Sequence, residues 1–232
     1  MKDADGPHDA AGIIVIRKRV KTARIQVLPN GTLRVTAPPS LDVAPFLDRH
    51  AGWIEERRKV FSDLAEEGRG REDMLLLLGR YYRLENGRRC GIDEETQTVT
   101  SPSLPALKRH LGELLKADVI RLADRHRSLG GEGFHRITVR MQRTVWATCS
   151  SRRNLSVNLR TIALPDPLRE YIVIHELAHT LQHNHSPAFW TLVRAARPDY
   201  RRAQAELKRY WVLLERNRVW KGIGTAGRQK TG

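Results

Sequence analysis

The chain has 232 residues, enough for one large domain or two small ones with an ample core, and its 41 Lys and Arg against 26 Asp and Glu give a formal charge of +15. No apolar run approaches the roughly 18–20 residues that cross a bilayer, and the polar, acidic-leaning first eleven residues hold no secretory apolar stretch, so neither a membrane span nor export is expected. Cys90 and Cys149 stand far apart and form no CxxC pair, which argues against a structural disulfide and reads as a cytoplasmic protein.

Most of the basic excess is arginine, spread from Arg17 to Arg228 without one dense block. That pattern reads as a solvated surface able to attract nucleic acid or nucleotides non-specifically, in preference to a dedicated nucleic-acid face. Arg17-Lys18-Arg19, Arg57-Arg58-Lys59, Arg201-Arg202 and Lys208-Arg209 are the clusters where such contact is expected. None interleaves with aromatics, as a stacking platform for single strands would.

In chain order, residues 1–11 read as disordered and 12–100 as a β-rich N-terminal region. Strands are expected at Ile13 to Ile16, Arg24 to Leu28 and Leu33 to Thr36, with Pro29-Asn30-Gly31 as a hairpin turn. A helix is expected from Val43, after Asp42, to about Leu64. Strands follow at Met74 to Leu84 and Thr96 to Thr100, and Ser101 to Pro105 is the best linker. A metal-hydrolase domain then spans 104–218. Leu107, Leu111, Leu115, Val119 and Leu122 recur at helical spacing before Gly130-Gly131, and Ile137 to Met141 and Leu155 to Leu159 alternate as a hairpin. A last basic helix is expected over Asp199 to Arg218, and 222–232 reads as a disordered tail. Strands first and helices after make the fold class α+β.

The chemistry lies in His175-Glu176-Leu177-Ala178-His179, followed by His185. Residues four apart share a helix face, so His175 and His179 can hold one metal ion while Glu176 reaches its bound water. Asp166 and Pro167 look like the N-cap and first residue of that helix. Leu168, Tyr171, Ile172, Val173 and Ile174 make it apolar nearly all round, hence buried. Two imidazoles and a carboxylate in such a place need compensation, which a metal supplies. The third ligand has three candidates. His185 stands six residues beyond His179, as in HExxHxxGxxH enzymes, but Gln182 occupies the glycine position, so Asn184 would have to turn the chain through the left-handed region. His183 would share the face of a continuing helix, and Glu206 would complete a His2Glu set. The spacing favours His185. Tyr200, Arg160, Arg194 and His183 are the candidates for oxyanion stabilisation. Cys149, beside Ser150, reads as a buried small hydrophobe and not as a nucleophile.

The chain resembles the YgjP-like metallopeptidases, related to the SprT and WLM groups of zincin-like proteins. Tyr171 through His179, Asn184-His185-Ser186, Phe189-Trp190 and Pro198-Asp199-Tyr200 carry the likeness, with Val145 to Ser151 and Asn154 to Asn158 upstream. More loosely it extends through Arg17 to Thr22, Arg34 to Pro38 and Trp53-Ile54. Ala147 and Thr148 depart from the family's usual glycine and serine. The resemblance implies a β-rich N-terminal region followed by a zincin-like domain, with a β-hairpin and an HExxH helix. It implies one Zn2+ per chain on His175, His179 and His185, and Glu176 as catalytic base. It further implies that an edge strand holds unfolded or flexible polypeptide beside the metal.

Three functions are then compatible with the sequence. The leading one is a zinc-dependent peptidase. A metal-dependent nucleoside triphosphate phosphohydrolase would use the same water but lacks a carboxylate cluster for Mg2+. A basic nucleic-acid-associated module with structural zinc leaves Glu176 without a purpose, because structural sites close with four protein ligands.

Overall fold

A computed structural model describes residues 12–28, 31–129, 131–142 and 144–227; the expected disordered N-terminus and the Pro29-Asn30 part of the first turn fall outside them, as do residues 228–232. Mixed helices and three small sheets make the fold α+β. Two compact units are distinguished: the described part of Met1–Arg69 with Trp211–Arg216, and Gly70–Tyr210 with Asn217–Gly232.

In the first unit, strands β1 (Ile13–Arg17), β2 (Arg24–Val27) and β3 (Leu33–Ala37) form a sheet in the order β1-β3-β2. The expected β2–β3 hairpin is antiparallel, and β1 lies parallel to β3. Val27 and Leu33 bury against Ile54, with Ile13, Ile25, Leu47 and Phe61 around them. The helical segment after Asp42 is two helices, α1 (Val43–Asp48) and α2 (Ala51–Glu67), instead of one. Asp42 caps the first, accepting from the Ala44 N–H at 3.2 Å. The break has a local cause: the His50 ring takes the Phe46 carbonyl at 2.7 Å, and the His50 N–H bonds Leu47 three residues back.

The second unit begins with a four-stranded sheet, ordered β4 (Leu75–Leu77), β5 (Arg80–Asn86), β7 (Thr98–Ser101), β6 (Gly91–Asp93). The single strand expected over 74–84 is a hairpin. Its turn passes through Leu78 and Gly79 at φ 52° and 82°, and leucine is not a residue that announces a left-handed turn. The turn is held from outside, by Leu78 N–H to the Ile162 carbonyl at 3.0 Å and Gly79 N–H to the Ala163 carbonyl at 2.8 Å. A Cβ on Gly79 would stand 2.9 Å from the Pro165 side chain, so this turn seats directly against the start of the metal-motif helix.

Ser103 caps α3 (Leu104–Arg125), so the expected linker is the end of β7 and the start of a helix. Leu107, Leu111, Leu115, Val119 and Leu122 are its buried stripe, as the spacing predicts. Next comes a sheet ordered β8 (Arg136–Arg140), β10 (Asn154–Asn158), β9 (Ala147–Cys149). Here the expected pairing changes. β8 and β10 run parallel, and the hairpin partner of β10 is β9, whose three residues are too few to show alternation.

Four helices follow: α4 (Asp166–Leu181), α5 (Pro187–Ala196), α6 (Tyr200–Arg216) and α7 (Arg218–Thr225). The last was expected as the end of one helix and the start of a disordered tail. Trp220 orders it: the ring is fully buried, and its indole N–H donates to the Leu76 carbonyl at 2.8 Å. Asn217 caps the helix and ties back to Met74 at 2.7 Å.

Candidate metal centre

Helix α4 is buried nearly all round by Leu168, Tyr171, Ile172, Val173, Ile174 and Leu177, each worth about 1.5–3 kcal/mol when fully removed from water. Its first turn is anchored by charge. Arg169, 6% exposed, donates to Asp118 of α3 at 2.6 Å, to the Leu164 carbonyl at 2.6 Å and to Asp166 at 3.0 Å. Asp166 therefore lies inside the first turn and not at the cap, which is Pro165. Its carboxylate answers Arg169 and Arg121 and sits at the positive end of the helix dipole.

The other end of α4 carries the motif. His175 and His179 share a face, with ring centroids 5.0 Å apart. After Leu181 the chain leaves the helix through Gln182 at φ −130°, ψ 102°, an extended conformation that needs no glycine. The expected left-handed Asn184 is absent; its side-chain oxygen instead accepts the Ser186 N–H at 3.2 Å and shapes the turn from within. Ser186 then caps α5 by accepting from Phe189 N–H at 3.4 Å. This reversal returns His185 to His175, Nε2 to Nε2 at 3.1 Å.

His175, His179 and His185 thus offer ligand nitrogens all within 4.8 Å of one another. His183 is exposed and outside that group, and Glu206 pairs with Arg209 at 2.9 Å. The donor set fits a small divalent cation. Two nitrogens about 2.0–2.1 Å from one tetrahedral ion stand about 3.3–3.4 Å apart, close to the His175–His185 separation. His179 Nδ1–H donates to the Gln182 carbonyl at 3.0 Å, which fixes the tautomer and leaves Nε2 as a free lone pair. Burial, and then the neighbouring His179 and His185, push His175 down to a pKa of about 3, so it is a neutral donor.

Phe189, fully buried, forms the floor, its ring 4.9, 4.5 and 4.7 Å from the rings of His175, His179 and His185. Trp190 stacks on His185 at 5.6 Å and Tyr200 on Trp190 at 5.1 Å. Sequence reasoning gave Phe189 and Trp190 no role at the site. The available signal was their spacing, four and five residues beyond His185 at the start of a capped helix. Of the oxyanion candidates, Tyr200 is joined to the histidines through this stack, and hydrogen bonds from Arg201 and Arg194 hold its hydroxyl below the usual tyrosine range.

Glu176, next to His175 on the helix, meets β9 through the Cys149 N–H. It is 6% exposed, and burial raises its carboxyl to about 7 against an opposing hydrogen bond from the Cys149 N–H. Its Oε2 has no hydrogen-bond partner among the described residues. The Cys149 thiol is itself pushed up to about 11, by burial first and then by Glu176, which leaves it protonated and unsuited to nucleophilic attack.

Comparison with known proteins agrees with the motif. A family model described as YgjP-like, metallopeptidase domain, matches residues 21–210. Among solved structures, the metallopeptidase zymogen of Pyrococcus abyssi abylysin is similar at 22% identity and a TM-score of 0.36, over 38% of this chain and 90% of that one. No curated protein matches. With the family model covering most of its length, the chain belongs to the YgjP-like metallopeptidase-domain family and is a metal-dependent hydrolase.

Proposed function

We propose that the protein hydrolyses peptide bonds in unfolded or flexible polypeptide, using one Zn2+ per chain held by His175, His179 and His185, with Glu176 as general base. The observation that carries this reading is the convergence of three imidazole nitrogens at the α4–α5 turn, with a buried carboxylate oxygen, unpartnered among the described residues, one residue from the first of them. Three neutral ligands leave the ion its full charge; when bound, Zn2+ supplies a water of pKa near 7 and polarises a carbonyl.

The protein's own groups account for the remainder. Glu176 takes the proton of the attacking water and delivers it to the leaving amine. Edge strand β9, whose Cys149 N–H already touches Glu176, offers its unpaired side to an extended substrate. Phe189 packs behind all three imidazoles and limits their rotation.

Metal analysis of wild type beside Glu176→Gln tests this, with each protein then offered an unfolded polypeptide and nucleoside triphosphates. The expected result is one zinc in both and peptide cleavage by wild type alone, reduced roughly 10²–10⁴-fold or more in the variant. Zinc lost from the variant would make the acid a ligand. Triphosphate turnover without peptide cleavage would replace the substrate class.

A further inference from the structure

The sheet that carries β9 has a second edge, β8, among the described residues. Along it runs a groove of about 660 Å³, lined by every residue from 134 to 141 and by one face of α3. Because consecutive residues line it, and not alternate ones, the groove follows the strand's unpaired backbone and not a pleated face. On the helix wall, Arg109, Gly112, Glu113, Lys116 and Ile120 recur at three- and four-residue spacing, as one helix face must.

The groove is strongly cationic. Arg109, Lys116, Arg136 and Arg140 are exposed in it, and none is hydrogen-bonded or ion-paired to a described residue. Elsewhere in the same unit arginines find carboxylates: Arg121 and Arg169 share Asp118, and Arg125 meets Glu170. Glu113 is the one acid lining the groove, and Lys108 is occupied by the Ala226 carbonyl at 2.9 Å. A partner suited to four unpaired, exposed cations beside a free strand edge brings both negative charge and backbone donors and acceptors.

We infer that this groove docks an extended acidic polypeptide segment, which adds as a strand to β8 while its Asp or Glu side chains meet Arg109, Lys116, Arg136 and Arg140. A free strand edge presents N–H and C=O groups in alternation, and another polypeptide satisfies both. A phosphodiester chain has no N–H for the carbonyls, so nucleic acid fits the charge but not the edge. Spacing agrees as well: Arg136 and Arg140 lie about 13 Å apart along a strand. Arg109 and Lys116 lie about 10 Å apart along a helix. Both separations correspond to three or four residues of an extended chain. If the peptidase reading above holds, the groove grips acidic stretches of substrate on the edge of the sheet opposite the one beside Glu176. Docking itself does not depend on that reading.

Binding is tested without turnover, by fluorescence anisotropy of a labelled peptide alternating Glu and Thr against the full chain. Comparison ligands are the same peptide N-methylated at alternate residues and a single-stranded oligonucleotide of equal charge. Arg136→Ala with Arg140→Ala should weaken the acidic peptide by about tenfold, as expected for loss of two partly exposed charge contacts. Arg109→Ala with Lys116→Ala, on the helix wall, should do the same, which guards against a folding defect in the strand variant. N-methylation in the pairing register should weaken binding at least as much. Wild-type affinity in both double variants, indifference to N-methylation in either register, or tighter binding of the oligonucleotide would each overturn the proposal. Because the readout is binding, failure of the peptidase reading leaves it standing, and its own failure leaves zinc content and Glu176-dependent cleavage untouched.

Discussion

The two ends of α4 bury polar groups in opposite ways. At the first turn, Arg169 is almost inaccessible yet fully answered, by Asp118, Asp166 and the Leu164 carbonyl. Further along the helix, Glu176 Oε2 and His175 Nδ1, the ring nitrogen that does not face His185, are buried without a hydrogen-bond partner among the described residues. Burying an unsatisfied polar atom costs about 1–3 kcal/mol, and a fold has no structural reason to bear that cost twice in adjacent residues. Satisfied burial marks where the helix is held, and on the proposed function the unsatisfied end is the one that works. Substitutions at the first end should therefore be read in stability, and at the second in metal and turnover.

The sharpest separation should come from the histidines. His185→Ala removes one of the three convergent nitrogens and should abolish stoichiometric zinc, with activity falling to background. His183→Ala, exposed and outside the cluster, should keep both. Metal analysis after dialysis decides between them, and zinc retained in the first but lost in the second would exchange the two roles.

At the other end, Arg169→Met should destabilise the protein by about 3 kcal/mol, since it leaves the Leu164 carbonyl and Asp118 Oδ2 without their donor, Asp118 keeping only Arg121 at its other oxygen. Urea denaturation would measure this, while zinc per folded chain should stay at the wild-type level. Gly79→Ala should cost about 1–3 kcal/mol, because it places a side chain at φ 82° and against Pro165 just before α4. A neutral result would mean that the hairpin turn and the start of α4 move apart freely.

Legibility in the sequence follows the same division. The meeting of His175 and His179 on one face was readable because residues four apart on a helix share a face, and a glutamate between two such histidines on an otherwise apolar helix matches a metal motif. His185 was readable because its spacing matched a known turn. What holds that turn was not readable: a glycine-type backbone was expected, whereas Gln182 is merely extended and Asn184 acts through its side chain. The aromatic floor was missed because Phe189 looks like any core residue until the rings around it are placed. Strand β9 was missed for its shortness, although it carries the N–H that touches Glu176. The Leu78–Gly79 turn was hidden because its determinants are the distant carbonyls of Ile162 and Ala163. Local pattern reveals elements that stabilise themselves, and passes over those held by contacts far along the chain.

The smallest effect should be seen at Glu170, one residue beyond Arg169, and it tests whether satisfied burial behaves as a stability element under titration. Burial alone would raise its carboxyl, but hydrogen bonds from His126 at 2.8 Å and Arg125 at 3.2 Å outweigh that and hold it below the usual range. A carboxyl with a depressed folded-state pKa contributes stability that is fully present above its unfolded value, about 4.3, and is lost as pH falls through the lower folded value. Glu170→Gln should therefore lower the urea midpoint at about pH 6 by an amount equivalent to at most about 1 kcal/mol, since the group is partly solvated and screened. As pH falls below the folded-state value, the variant and wild type should converge. A difference that persisted unchanged into acid would assign Glu170 a packing role in place of an electrostatic one, and would narrow the contrast between the two ends of α4 to Arg169 and its acceptors.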